Sequence, residues 1–289
     1  MIRGSIFCYF ILMLIVTTQV LTSQPEMILV EGGRFVMGCT PEQGGDCDTY
    51  DEYPAHAVQV SSFYIGKYEV TQGQWQSVMG DNPSYFPGCG TNCPVEQIDW
   101  YSMIVFCNVL TLQQMGSSHR VYYKDAAMTQ PWSISDYSGN GDTPAGIVYW
   151  NTAKTGYRFP TEAEWEFAAR GGNQSQGYKY AGSNVIGDVA WYYGNSGSTT
   201  HQVGTKAPNE LFVYDMSGNV LEWIWDWYLN TYYSTQRVCD PQGPGSGSHR
   251  VLRLGACNTP ALYCRVSDRF NDYPTSRSIS DGFRLARSL

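Results

Sequence analysis

Apolar and polar residues follow no single period along this chain, but three segments read as helices. In Thr71-Gln72-Gly73-Gln74 and Thr161-Glu162-Ala163-Glu164 a hydroxyl is answered three residues later by an amide or carboxylate, the pairing that satisfies free N–H groups at a helix start. Trp75, Val78 and Met79 continue the first at helical spacing, and Trp165 and Ala168 the second. The pattern predicts a third helix from about Trp100 to Gln113, with Met103, Ile104, Cys107 and Leu110 on one face. Cys107 reads there as a packed thiol. Val121-Tyr122-Tyr123 and Val148-Tyr149-Trp150 read as strands flanking an Asp-, Ser- and Gly-rich insertion at Ser133–Gly146. After Gly171 the pattern predicts only short strands and turns. No linker divides the chain and no fixed-period repeat appears, so one domain is expected over residues 26–289.

Residues 1–23 have a different character. Met1-Ile2-Arg3 precedes an apolar stretch from about Ile6 to Val20 and then Leu21-Thr22-Ser23-Gln24, which matches a secretory signal peptide. The alternative is a membrane anchor, but the stretch is near the lower length limit for a span and lacks a charged stop-transfer flank. The mature chain is then expected to start near Gln24, to be secreted, periplasmic or at the cell surface, and to keep no membrane span. Cys8 lies too early to carry a lipid. Eight cysteines remain, and an exported chain uses them first for disulfides. Cys39/Cys47 and Cys89/Cys93 are close enough to staple single loops; free thiols are the alternative, and the second pair has no matching CxxC for a zinc site.

Composition narrows the function. A formal charge of −8 disfavours nucleic acid, because phosphate neutralisation needs a basic surface. Thirty Gly, 14 Pro, 22 Tyr and nine Trp with only 15% charged residues suit a loop-rich fold and not a helical bundle. His56, His119, His201 and His249 are scattered, with no HExxH pair, and read as surface or hydrogen-bonded residues. There is no GxSxG elbow or phosphate-binding glycine loop. Glu162, Glu164 and Glu166, two apart on a helix, are not expected to converge as a catalytic set.

Five separated strings carry a family resemblance: residues 27–38 (MILVEGGRFVMG), 64–71 (YIGKYEVT), 157–171 (YRFPTEAEWEFAARG), 214–223 (YDMSGNVLEW) and 282–287 (GFRLAR). In this order they resemble the formylglycine-generating enzyme, or sulfatase-modifying factor, family from about Glu26 to the C-terminus. The resemblance implies an irregular α+β fold, a variant of the C-type lectin fold with few short helices and many short strands. Activity does not follow from fold alone. In that family two cysteines, the second five residues after the first, hold a copper ion and oxidise a sulfatase cysteine to formylglycine. Two thiolates suit soft Cu(I). Here Cys264 fits the second position, but Thr259 stands at the first. Ala256, Cys257 and Leu221 replace further motif residues, and the spacing of Cys257 to Cys264 is wrong for the family's pair. Copper is therefore not expected, and Cys264 reads as a packed or disulfide-bonded core residue.

The resemblance also implies one calcium site. Its ligands map onto Asp215, Gly218, Val220 and Glu222, the middle two through backbone carbonyls, and this oxygen set suits a hard cation. The alternative is that Asp215 caps a turn and Glu222 is a surface charge. A second family site near Val189–Val203 lacks its Asn in Ala190-Trp191 and is not carried over.

The last 47 residues are compositionally distinct. From Gly243 to Leu289 there is no Lys, Glu, Gln, Met or Trp, although these types supply 50 of the first 242 residues. They are the amino acids that pyrimidine-ended codons cannot encode. Seven of the 13 Arg fall here. Arg250, Arg265, Arg269, Arg277 and Arg284 recur at family motif positions and read as a frame, pairing with acidic or backbone groups. Between them lie Asn258, Thr259, Pro260, Tyr263, Asp268, Phe270, Asn271, Asp272, Tyr273, Ser276, Ser278, Ile279, Ser280 and Asp281. This stretch, residues 250–289, resembles the variable region of proteins diversified by retroelements, which implies that these side chains form a ligand-binding surface. Tyr offers rigid amphipathic area, and Ser and Asn offer adaptable hydrogen bonds. The expected function is an exported, non-catalytic binding module for a protein or glycan on another surface. The alternatives are a formylglycine-generating oxidase or an undiversified relative of it.

Overall fold

Both capping boxes close as the sequence predicts. The Thr71 hydroxyl accepts from the Gln74 N–H and the Gln74 side chain from the Thr71 N–H, and Thr161 and Glu164 repeat the arrangement. They start α1 (Gln72–Met79) and, later in the chain, α3 (Glu162–Ala169). The computed structural model describes residues 24–234, 238–253 and 255–289, so the expected signal peptide lies outside the described residues. Helix α2 (Trp100–Met115) is capped by Asp99, whose carboxylate accepts from the Ser102 N–H at 2.6 Å. It is buried more fully than one apolar face implies: every residue from Trp100 to Thr111 is buried, as for a helix surrounded by protein. The polar groups on its other faces are satisfied internally. Asn108, for example, donates to the Tyr122 and Trp132 carbonyls.

The strands are β1 (Met27–Val30), β2 (Gly33–Met37), β3 (His56–Val60), β4 (Phe63–Gly66), β5 (Tyr122–Tyr123), β6 (Tyr149–Trp150), β7 (Tyr157–Arg158), β8 (Leu221–Trp227), β9 (Arg250–Arg253), β10 (Arg269–Asp272), β11 (Asp281–Gly282) and β12 (Ala286–Ser288). Beyond Gly171 the chain is not only strands and turns, because Ile186–Val189 makes one helical turn, α4. One four-stranded sheet, ordered β1-β4-β12-β7, joins the two ends of the domain. The other, β10-β9-β8-β11, takes three of its strands from the arginine-rich C-terminal stretch. In it Arg269 lies opposite Arg253, and Asp272 opposite Arg250. The strand β8, with Glu222 and Asp226 inside an otherwise aromatic run, stays buried because both carboxylates find donors: Arg284 and Trp165 for Glu222, and the Glu162 N–H for Asp226.

Aromatic rings fill the space between the sheets and α2. Trp75 stacks on Phe106 and Trp100 on Phe159, with ring centres 5.3 and 5.4 Å apart. Cys39–Cys47 and Cys89–Cys93 form the two loop disulfides. Cys107 is a buried free thiol among the α2 residues, and Cys257 and Cys264 are also buried and unbridged. No helix among the described residues is long and apolar enough to cross a membrane.

Candidate ligand-binding site

The C-terminal stretch separates its side chains into two sets. The arginines turn inward. Arg253 splits its guanidinium between Glu162 and Glu166, each at 2.8 Å, and also donates to the Val266 carbonyl. Arg269 forks onto Glu162 at 2.7 and 2.9 Å. Arg265 forks onto Glu52, and Arg284 onto Glu222 and the carbonyls of Gly66 and Tyr214. Arg250 has no carboxylate partner among the described residues; it lies between the rings of Trp100 and Trp227, 3.8 and 3.5 Å from their centres, and donates to the Trp225 carbonyl. Exposed Arg277 donates to the Asn140 carbonyl. The glutamates of this frame, Glu52, Glu162, Glu166 and Glu222, all lie before Gly243, and Asp268, at 3.1 Å from Arg265, is a carboxylate partner within the stretch.

Glu162, Glu164 and Glu166 were not expected to converge as a catalytic set; two of them, Glu162 and Glu166, stand one helical turn apart and meet on Arg253 as ion-pair partners, while Glu164 faces away to Arg158. The i,i+4 spacing was the signal that could have found this. The convergence is structural: burial pushes Glu162 up, but Arg269 and Arg253 outweigh that and hold its carboxyl below the usual range.

The residues between the arginines largely face out. Tyr263, Phe270 and Tyr273 are 48, 52 and 56% exposed. Asn258 and Pro260 are exposed, and Thr259, Asn271, Asp272, Ser276, Ser278 and Ile279 are half-buried. Asp268, Ser280 and Asp281 are buried. Most of these residues converge on one cavity of about 700 Å³, with Asn258, Tyr263, Phe270 and Asp281 on its wall. Pro260, Asn271, Tyr273, Ser276 and Ile279 are not part of that wall. Asp46 and Cys47, on the loop closed by Cys39–Cys47, and Asp48 just after it form part of the wall from outside the C-terminal stretch. Sequence reasoning missed them, because no local signal ties residue 48 to residue 281.

None of the four residues mapped to a cation lies on the wall of this cavity, although Leu221, between Val220 and Glu222, does. Asp215 and Glu222 are both buried, so neither is a surface charge. Asp215 Oδ2 accepts from the Gly204 N–H at 2.7 Å, while its Oδ1 is buried without a hydrogen-bond donor. Asp215 and Gly218 both adopt left-handed backbone, and a Cβ at 218 would run into the Trp191 carbonyl. A third carboxylate, Glu69, is fully buried beside them and bound by Asn219 at 2.6 Å. Burial and the neighbouring Asp215 and Glu222 push Glu69 well up, and burial pushes Asp215 up to about 6. Arg284 is the cation set against these three. The orphaned, buried Asp215 Oδ1 offers a hard cation one free oxygen in an anionic setting, whereas both Glu222 oxygens also carry hydrogen bonds from Arg284 and Trp165.

Comparison with known proteins now decides the family. The sulfatase-modifying factor enzyme 1-like domain matches residues 14–289. The chain belongs to that family. The chaperone protein LppX of Paenibacillus barcinonensis is 40% identical over 225 residues, covering 72% of this chain and 73% of that protein. The formylglycine-generating enzyme of Streptomyces coelicolor is 30% identical over 288 residues, covering 90% and 88%. Among solved structures, Treponema denticola variable protein 1 aligns with a TM-score of 0.78 at 36% identity, over 91% of this chain and 95% of its own. The α+β fold and the two resemblances read from the motifs and the C-terminal stretch agree with these matches.

The family's copper chemistry does not fit the donors present. The Thr259 hydroxyl donates to the Ala256 carbonyl at 2.9 Å and accepts from the Ala256 N–H, so it closes a turn and offers a neutral, hard oxygen. Cys264 packs with Tyr180 and Val189, and burial pushes its thiol up to about 12. Cys257 is also pushed up to about 12, by burial and by the Glu69 and Glu96 carboxylates. With Thr259 at the first position of the family's pair, the second thiolate of that site is missing.

Proposed function

We propose that this is an exported binding protein whose scaffold displays residues 258–281 as a ligand surface for a protein or glycan carried on another surface. The supporting observation is the division of one stretch into buried, paired arginines and exposed Tyr263, Phe270 and Tyr273. Such a division lets the displayed residues change while the fold keeps its anchors, which is what a diversified surface requires. The likeness to a Treponema variable protein supports the same reading. The two loop disulfides suit an oxidising compartment. A calcium ion held by Asp215, Glu222 and the carbonyls of Gly218 and Val220 belongs to this reading as a clip on the scaffold.

The gene provides the test. The diversified reading expects a near-identical template repeat close by, differing at adenines from the segment encoding residues 250–289, and a reverse transcriptase gene beside it. Their absence leaves an undiversified binding module. Tight Cu(I) binding together with conversion of a sulfatase-type cysteine peptide to an aldehyde would overturn the non-catalytic reading.

A further inference from the structure

We propose that the cavity between the Cys39–Cys47 loop and the C-terminal stretch receives a lysine or arginine side chain of a partner protein, with Asp48, Asp272 and Asp281 as its counter-charges. This rests on the binding-surface reading above and narrows it to one ligand chemistry.

The charges around the cavity do not balance. Its two arginines, Arg265 and Arg269, are committed inward to Glu52 and Glu162. Asp46 is taken by Lys179 and Asp268 by Arg265. Among the described residues, Asp48, Asp272 and Asp281 have no ion-pair partner. Asp48 accepts from the Tyr50 N–H at 2.8 Å, and Asp272 from the Tyr273 N–H at 2.7 Å and the Ser276 hydroxyl at 2.8 Å. All of these donors are neutral.

Asp281 points most directly to a ligand. It is 3% exposed, lines the cavity, and among the described residues receives hydrogen bonds from the Ser280 hydroxyl, at 3.3 Å, and from Ser278, both neutral. A buried carboxylate on a cavity wall without a cation is costly, and an incoming cation offsets that cost. Burial and the neighbouring Asp272 push its carboxyl up to about 7, in keeping with the missing counter-charge.

The occupant is an organic cation. Carboxylates spread around a wall match the several N–H donors of a guanidinium or ammonium group. Tyr263 and Phe270 stand half-exposed on the same wall, where aromatic rings attract a cation. A neutral glycan has no charge to set against the three carboxylates. Asp48 lies outside residues 250–289; it is exposed, follows the disulfide-bonded Cys47 directly, and is tied by its own N–H to Glu52 at 2.8 Å. Part of the anionic wall is thus fixed whatever the C-terminal stretch presents.

The test is panning of a random peptide display library against the intact mature protein in 50 mM salt, beside the Asp48→Asn/Asp272→Asn/Asp281→Asn and Tyr263→Ala/Phe270→Ala variants. Circular dichroism checks that each is folded. Enrichment of Lys- and Arg-containing peptides is expected, with binding at least about tenfold weaker to the triple Asn variant and weakened further by 0.5 M salt. Selection of neutral or acidic peptides, with binding lost in Tyr263→Ala/Phe270→Ala but kept in the triple Asn variant, overturns the cation proposal and leaves the binding surface standing. Neutral oligosaccharides that bind with the same variant pattern overturn it equally. Binding insensitive to both variants overturns the surface as well. Because Asp281 lacks a counter-ion, Asp281→Asn alone is expected to raise thermal stability at pH 8 while weakening capture of a basic peptide, a combination that a purely structural role does not produce.

Discussion

Arg265 and Glu52, 213 residues apart in sequence, face each other as two parallel N–H to oxygen hydrogen bonds of 2.7 and 2.8 Å, both side chains buried. The Ser267 hydroxyl and the Asp48 N–H also donate to this carboxylate. The pair therefore anchors the C-terminal stretch and the loop that walls the cavity at the same time. Removing one member leaves the other as a buried, uncompensated charge. Glu52→Gln and Arg265→Met are each expected to cost about 3–5 kcal/mol in chemical denaturation. Arg265→Lys is expected to recover little, since an ammonium cannot fork. Losses under about 1 kcal/mol in both would remove the arginine frame from this account.

The exposed residues of the same stretch should behave oppositely. Tyr263→Ala, Phe270→Ala and Tyr273→Ala are each expected to change stability by about 0.5 kcal/mol or less, as for surface positions with few buried contacts. Randomising Asn258, Tyr263, Phe270, Asn271, Tyr273 and Ser276 together in a display library should leave most clones folded by protease resistance. Randomising Arg253, Arg265, Arg269 and Arg284 should leave almost none. Equal survival of the two libraries would contradict the division between frame and surface.

The sequence made some of this visible because the controlling interactions are local. Thr71 and Thr161 announce their helices within four residues, and Cys39–Cys47 and Cys89–Cys93 close loops short enough to pair on spacing alone. The inward role of the arginines was legible from their motif positions, but their partners were not. The Arg265–Glu52 and Arg284–Gly66 contacts each bridge more than 200 residues and depend on how the two sheets close. The same holds for the cavity, whose wall takes Asp48 and Asp281 from opposite ends of the chain. Turn α4 went unread because the segment Ile186-Gly187-Asp188-Val189 is too short for a periodic signal.

Calcium should appear as a change in thermal stability. A cation bound only by the native state stabilises by RT ln(1 + [L]/Kd), about 2.7 kcal/mol at one hundred times Kd. Adding millimolar calcium to chelator-treated protein is expected to raise the melting temperature by several degrees. Asp215→Ala should abolish the increment, because it removes the unpartnered Oδ1. The Asp48→Asn/Asp272→Asn/Asp281→Asn variant should retain it. Identical melting curves with and without chelator would remove the ion from the scaffold.

Stability should also depend on pH with an unusually acidic optimum. Burial pushes Glu96 and Asp281 up to about 7 and Asp99 up to about 6, whereas in the unfolded chain such groups ionise near 4. Between about pH 4 and 7 the native state therefore holds protons that the unfolded chain has released, so stability falls as pH rises through that window. Glu52 and Glu162 work in the opposite sense. For each, burial raises the carboxyl but is outweighed, for Glu52 by Arg265 and Ser267 and for Glu162 by Arg269 and Arg253. Their contribution is complete above about pH 5 and is lost as the pH drops through their lowered folded values. Urea denaturation from pH 3 to 8 is expected to show a maximum near pH 5, a steep acid limb and a gradual decline toward pH 8. Asp281→Asn should flatten the decline by up to one proton, about 1.4 kcal/mol per pH unit at most, and leave the acid limb in place. A profile that rises steadily to pH 8, or one that Asp281→Asn does not alter, would show that this carboxylate has found a counter-charge within the protein.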